Sequence, residues 1–307
     1  MIIGNCKLFI MSTLYNEISA NKRRSWVLIF VVLVLVIGTV ALYSYAVRGD
    51  FYLPVVAAIF IIPSTLIGYY SGDKIALMTN RAREVSAEEA PELHRLVENI
   101  AITAGVPKPK VYLINSPALN AFATGRDPEH ASVAVTRGLL ERLDRAEMEG
   151  VLAHELGHVR NYDIRFATLV AVLVGFLVIL SDIFLRMTFW GGGRRRGDGE
   201  NSGQLGAILA IVGLVMLIVS PIVAKLIQLA ISRQREYLAD ASGVLLTRYP
   251  EGLARALEKI AGSPPLPTAG KATAHLYIAN PFSRRSFSNL FSTHPPIEER
   301  IKRLRAM

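Results

Sequence analysis

Residues 144–163 read Asp-Arg-Ala-Glu-Met-Glu-Gly-Val-Leu-Ala-His-Glu-Leu-Gly-His-Val-Arg-Asn-Tyr-Asp, and their spacing decides what the rest of the chain must supply. Asp144 with Glu147 three residues on is an N-capping pattern, and Val151, Leu152 and Leu156 give the following helix an apolar surface to bury. On such a helix His154 and His158 stand at i and i+4 and share one face, so two imidazoles aim at a single point beside it. That is the H-E-x-x-H arrangement, suited to one zinc ion per chain. Glu155, next to the first imidazole, is placed as a general base for a water whose pKa the metal brings to about 7. A catalytic zinc takes three protein ligands and keeps one position open, so a third ligand has to come from elsewhere.

The single cysteine, Cys6, excludes an intrachain disulfide and a thiolate cluster, which leaves His and carboxylate ligands. A longer histidine motif fails at both later positions, where Asn161 and Ile164 stand in place of glycine and a third histidine. Glu236 and Asp240 lie at i and i+4 on a second predicted helix. We assign Glu236 to the metal and Asp240 to the far ring nitrogen of a ligating histidine, which would fix its tautomer. The bland account of that pair is a solvated helix face. Asp163 is the competing ligand, and we read it as a structural polar residue where the helix leads into the next apolar run. His94, His130 and His275 have no ligand-like neighbours in sequence and are read as structural.

Around this centre the chain is unusually apolar. Of 307 residues 51% are hydrophobic, concentrated in four runs nearly free of charge, 26–47, 51–72, 166–185 and 204–224. Each is long enough to cross about 30 Å of hydrocarbon as a helix. The sequence therefore divides into an N-terminal segment 1–25, a transmembrane hairpin 26–72, a first part of a catalytic lobe 73–165, a second membrane hairpin 166–224, and a second part of the lobe with a tail, 225–307. A cleavable signal peptide is the other reading of the first run, against which stand its length and the span that follows at once. The net charge of +9 comes mostly from residues flanking the apolar runs, with no aromatic-interleaved stripe, which argues against nucleic acid. Lys22, Arg23 and Arg24 before the first hairpin, and Lys74, Arg81 and Arg83 after it, place both flanks in the cytoplasm. Arg194, Arg195 and Arg196 run against that rule, and a re-entrant second hairpin also fits them. In the soluble part, 90–104 has helical periodicity, 110–114 and 132–136 alternate as strands, 115–128 is rich in turn residues, and a last short helix starts near Pro296. The fold class read from all this is an α-helical integral membrane protein carrying a cytoplasmic α+β, gluzincin-like lobe.

With these residues in view, the chain resembles the HtpX-type membrane zinc metalloproteases, relatives of the proteases that process CaaX prenyl proteins. The likeness spans about 85–300. It rests on residues 151–158, on Glu236 to Asp240, on Asn120-Ala121-Phe122-Ala123-Thr124-Gly125, on residues 133–140, and on Ser292-Thr293-His294-Pro295-Pro296. The resemblance implies that Asn120, Ala121, Phe122 and Ala123 line the cleft, where an extended peptide pairs with exposed backbone. A plain turn at Asn120 and Gly125 fits the same residues. His294 is a candidate to approach the site and stabilise the oxyanion, against a packing role beside a Thr293 cap. The implied activity is hydrolysis of peptide bonds in misfolded or damaged membrane proteins, with polypeptide substrates and the lipid bilayer as partners, and a second copy or another membrane protease as a possible assembly partner. The alternatives are processing of a defined membrane or lipidated partner and, from another class, an inactive zinc-binding scaffold. A transporter is disfavoured because the apolar runs hold almost no ionisable residue. Residues 1–21 have no evident role, and Met11 is an alternative start.

Overall fold

The computed structural model describes residues 18–31, 33–34, 37–38, 41, 44–45, 52–174, 233–266, 268–270, 272–282 and 295–307, apart from the side chains at 53, 56, 57, 60 and 61. The run 204–224, most of 166–185, the arginines at 194–196 and His294 lie outside the described residues. The described elements begin with helical residues 18–31, then α1 (Tyr52–Thr79), β1 (Ala82–Glu84), α2 (Pro91–Ala104), β2 (Lys110–Ile114), β3 (Ala121–Gly125), β4 (Ala131–Thr136), α3 (Arg137–Arg142) and α4 (Arg145–Arg160). After helical residues 163–174 come α5 (Arg233–Thr247), α6 (Pro250–Ala261) and α7 (Ile297–Arg305).

The four strands form one sheet in the order β1-β2-β4-β3, with β2 and β4 parallel and the outer pairs antiparallel. Side chains alternate across it, and both faces are covered. Val111, Val133 and Val135 join the larger core with α2, α4 and α6, while Ile114, Phe122 and Ala134 pack on the other side with Ala76 and Leu77 of α1 and with Tyr277. α2 follows from Leu93, Leu96, Val97 and Ile100 at helical spacing, Pro91 in its first turn and Gly105 closing it at φ 68°.

α4 begins at the expected capping box, with Asp144 accepting from the Glu147 backbone N–H and Glu147 accepting from that of Asp144. It is then buried on nearly every side, between the sheet and α5 and α6. Two glycines set how near its neighbours come. A Cβ on Gly150 would lie 2.7 Å from the Leu253 backbone nitrogen of α6, and one on Gly243 of α5 would lie 3.1 Å from that of His154. α5 is thereby close enough to α4 for one side chain to reach the other's face.

One sequence expectation needs correction, and two elements carried none. The segment expected to be turn-rich holds the fully buried strand β3, while β1, inside the expected lobe 73–165, and the amphipathic α6 were not foreseen. The second apolar run is helical but extends past Asp73 and Lys74 to Thr79. Among the described residues no helix is long and apolar enough to cross a membrane, several positions of α1 lying outside the description.

Candidate metal centre

The two imidazoles of α4 converge as their i and i+4 spacing requires, with the rings edge to face at 4.8 Å between centroids. α5 crosses α4 so that Glu236 joins them: one ligand atom from each of His154, His158 and Glu236 lies within 4.8 Å of the others. His154 Nδ1 sits 2.9 Å from Asp240 Oδ1, and His158 Nδ1 sits 3.0 Å from Asp163 Oδ2. With both Nδ1–H groups donated to these carboxylates, each ring turns an Nε2 lone pair inward. The two Nε2 atoms are 3.2 Å apart, and Glu236 oxygens stand 3.8 and 3.6 Å from them. Electron-pair donors facing one another at that range repel unless a cation lies among them. Zinc bonds of about 2.0–2.1 Å in a tetrahedral shell would space donors about 3.3–3.4 Å apart, so the donor set fits that ion in type and spacing.

The electrostatics point the same way. Burial pushes His154 toward the neutral form despite Asp240, the form a metal needs. At His158 burial opposes the charged ring, but the Asp163 hydrogen bond and the charge of Glu236 outweigh it and raise the pKa to about 9 in the metal-free site. Glu155 is raised to about 7, chiefly by burial, with His158 pulling the other way. Among the described residues its carboxylate oxygens are buried without a full hydrogen bond, although the Ala123 backbone N–H acts on them.

The carboxylate behind His154 is itself clamped. Arg300 of α7, 0% exposed, donates from Nε to Asp240 Oδ2 at 2.9 Å and from Nη2 to Oδ1 at 2.6 Å. Its Nη1 donates to the Ile278 carbonyl at 2.9 Å and lies 3.4 Å from Glu236 Oε2. Burial alone would raise the Asp240 pKa, yet the Arg300 charge and the His154 hydrogen bond hold it at about 2. Sequence reasoning missed Arg300, for which the available signal was a charged residue on the inward face of an amphipathic helix that also buries Leu304. It also gave Asp163 too small a part, since the structure sets that carboxylate against His158.

Of the four residues expected along the cleft, Ala123 reaches it, where it lines a cavity of about 30 Å3 with Glu155, His158 and Glu236. His275, expected to be structural, lines the same cavity while its Nε2 bonds the Ala167 carbonyl at 2.9 Å. Asn120 instead donates from Nδ2 to the Ala279 carbonyl, Ala121 accepts from the Ile278 N–H, and Phe122 is bridged to Tyr277. Part of the free edge of β3 is thus taken by the chain's own 277–279.

Residues 87–307 match the family model described as Peptidase family M48. A protein named "Protease HtpX homolog" from Caldanaerobacter subterraneus subsp. tengcongensis is 47% identical over 301 residues, covering 96% of this chain and 98% of that one. A protein of the same name from Dictyoglomus thermophilum is 48% identical over 297 residues, covering 96% and 95%. One from Streptococcus uberis is 44% identical over 298 residues, covering 96% and 100%. Among solved structures, the S. mikatae Ste24p crystal structure is 19% identical with a TM-score of 0.44, covering 92% of this chain and 66% of that one.

Proposed function

The chain belongs to peptidase family M48, and from that premise we propose that it is a membrane-anchored, zinc-dependent endopeptidase whose centre is His154, His158 and Glu236 with Glu155 as general base. The observation that carries this reading is the convergence of three ligand atoms within 4.8 Å beside a buried glutamate raised to about 7. A closed structural site has no use for such a base.

In the proposed mechanism His154, His158 and Glu236 hold the ion. Zn2+ supplies Lewis acidity and lowers the pKa of water to about 7. Asp240 and Asp163 keep both imidazoles in the ligating tautomer. Glu155 takes the proton of the attacking water and returns it to the leaving amine. An extended substrate pairs with β3 at Ala123, next to Glu155, and the residues before it are kept in strand geometry by 277–279. Pairing through backbone reads little side-chain sequence, which suits a role in removing misfolded or damaged membrane proteins. In this reading Asn120, Ala121 and Phe122 shape the cleft behind Ala123, and His294 is an oxyanion-stabilising candidate.

Membrane anchoring is supported by α1, whose Val55, Ile59, Ile62, Leu66 and Ile67 are 44–64% exposed. So many large aliphatic side chains on one helix call for a non-aqueous neighbour. With the basic flanks, the domain division read from the sequence puts the lobe at the cytoplasmic face.

The test is hydrolysis of casein, and of a destabilised against a native membrane protein, by detergent-purified enzyme. Chelation should abolish cleavage and zinc should restore it, with the destabilised substrate cut faster. Activity that survives chelation and a H158A substitution would overturn the proposal.

A further inference from the structure

The segment ahead of the first apolar run has no part in the zinc motif, yet it sets a buried amide against the metal centre. Residues 18–31 are helical, and Asn21, Ser25 and Leu28 turn inward with 0%, 1% and 4% exposure, while Trp26, Val27, Phe30 and Val31 face outward. Leu28 packs against Phe166, Leu169 and Val170, which brings the start of this helix to the turn that follows α4. There Asn21 Nδ2 donates to Asp163 Oδ1 at 2.7 Å and to the Asn161 carbonyl at 3.0 Å. The other oxygen of Asp163 accepts from His158 Nδ1 at 3.0 Å.

The amide can sit only one way round. Turned over, its oxygen would face a carboxylate and a carbonyl, two acceptors, and would lose the 3.4 Å contact from Arg24 Nη1. In the observed orientation both amide groups act: the oxygen faces Arg24, and the NH2 bridges Asp163 to the backbone of the turn. The amide's bond to Oδ1, with Arg235 Nε 3.8 Å from the same oxygen, restrains the carboxylate from turning Oδ2 away from the ring it serves. Outer partners of this kind fix the angle at which a histidine meets its metal.

We infer that Asn21 is a positioning residue for His158, acting through Asp163, so that the N-terminal helix is part of the metal centre as well as part of the anchor. The inference rests on the reading of His158 as a metal ligand.

A merely structural role would be to dock the helix on the lobe, and Lys22 offers the comparison. Its Nζ lies 4.2 Å over the Tyr162 ring, a contact between the same helix and the same turn that does not touch Asp163. The experiment uses the full chain in detergent micelles: wild type, N21A, N21S and K22A. Zinc affinity is read by competition with a chromophoric chelator, geometry by the visible spectrum of the Co2+-substituted protein, and folding by thermal melts without metal. N21A should bind zinc about 3- to 10-fold more weakly, less than the roughly 10- to 100-fold of losing a ligand's own partner because the amide acts one bond further out, with an altered cobalt spectrum, and K22A should keep wild-type affinity and spectrum. If N21A does not fold, N21S decides by the same readouts, because its short hydroxyl cannot span both acceptors. Folded N21A or N21S with wild-type affinity and spectrum would overturn the inference, as would equal weakening in K22A. A folded wild type that takes up no zinc would instead overturn the metal reading itself.

Discussion

A carboxyl held at about 7 by burial costs the fold energy at every pH where its unfolded counterpart is ionised, and Glu155 makes that measurable. Its folded pKa is raised, so the folded state favours the proton. The penalty is absent below about 4.5, grows between 4.5 and about 7, and is constant above. At about 1.4 kcal/mol per pH unit, the rise bounds the cost at about 3 kcal/mol. Metal-free E155Q should therefore be more stable than metal-free wild type at pH 8 and equal to it at pH 4, as read by denaturant titration. Equal stability at pH 8 would mean that the carboxylate is solvated. The same base must be ionised to act, and a bound cation would favour its charged form, so kcat/KM should fall on the acid side at a pH below the metal-free value of about 7. D240N makes the opposite kind of change. The amide keeps one oxygen for His154 but sets an NH2 against an Arg300 donor and leaves that fully buried guanidinium only Glu236 as a charged neighbour, so about 3–5 kcal/mol of stability should go, and zinc affinity should fall with it, by about 10-fold.

At the scale of elements, α4 was legible because its signals are local: a capping box, an apolar face and two histidines four apart. β3 was not. Ala121-Phe122-Ala123-Thr124-Gly125 has small residues where a strand usually shows branched ones, and it is strand because β4 and Tyr277 pair with it from 131–136 and 277. The pairing of Asp163 and Asp240 with the two histidines depends on where α4 ends and α5 crosses, of which only the i, i+4 step from Glu236 to Asp240 is visible in sequence. Arg300 and Asn21 reach the centre from opposite ends of the chain, a closure no local pattern announces. The α4–α6 contact offers a clean test of the packing. In G150A the new methyl meets the Leu253 backbone at 2.7 Å, which should cost about 1–3 kcal/mol in a thermal melt while zinc stoichiometry stays unchanged, since the clash lies a turn away from His154. An unaffected melting temperature would show that α6 yields easily.

At the scale of the whole molecule the α+β lobe is joined to apolar helical segments, 18–31 and α1, that leave large apolar side chains exposed. The join is physical, because Leu28 packs against the 163–174 helix, and Asn80 at the end of α1 bonds Thr273 and Tyr277 beside the cleft. The chain should remain in the pellet when membranes are washed with alkaline carbonate, and I59K/L66K should weaken that retention; release of the unsubstituted chain would remove the anchor. A metal held by His154, His158 and Glu236 for use by Glu155 is read from the zinc content and casein hydrolysis of wild type and E155Q measured side by side. One zinc per chain is expected in both, and activity in wild type alone. Equal activity in the two, or a folded wild type without zinc, would contradict that assignment.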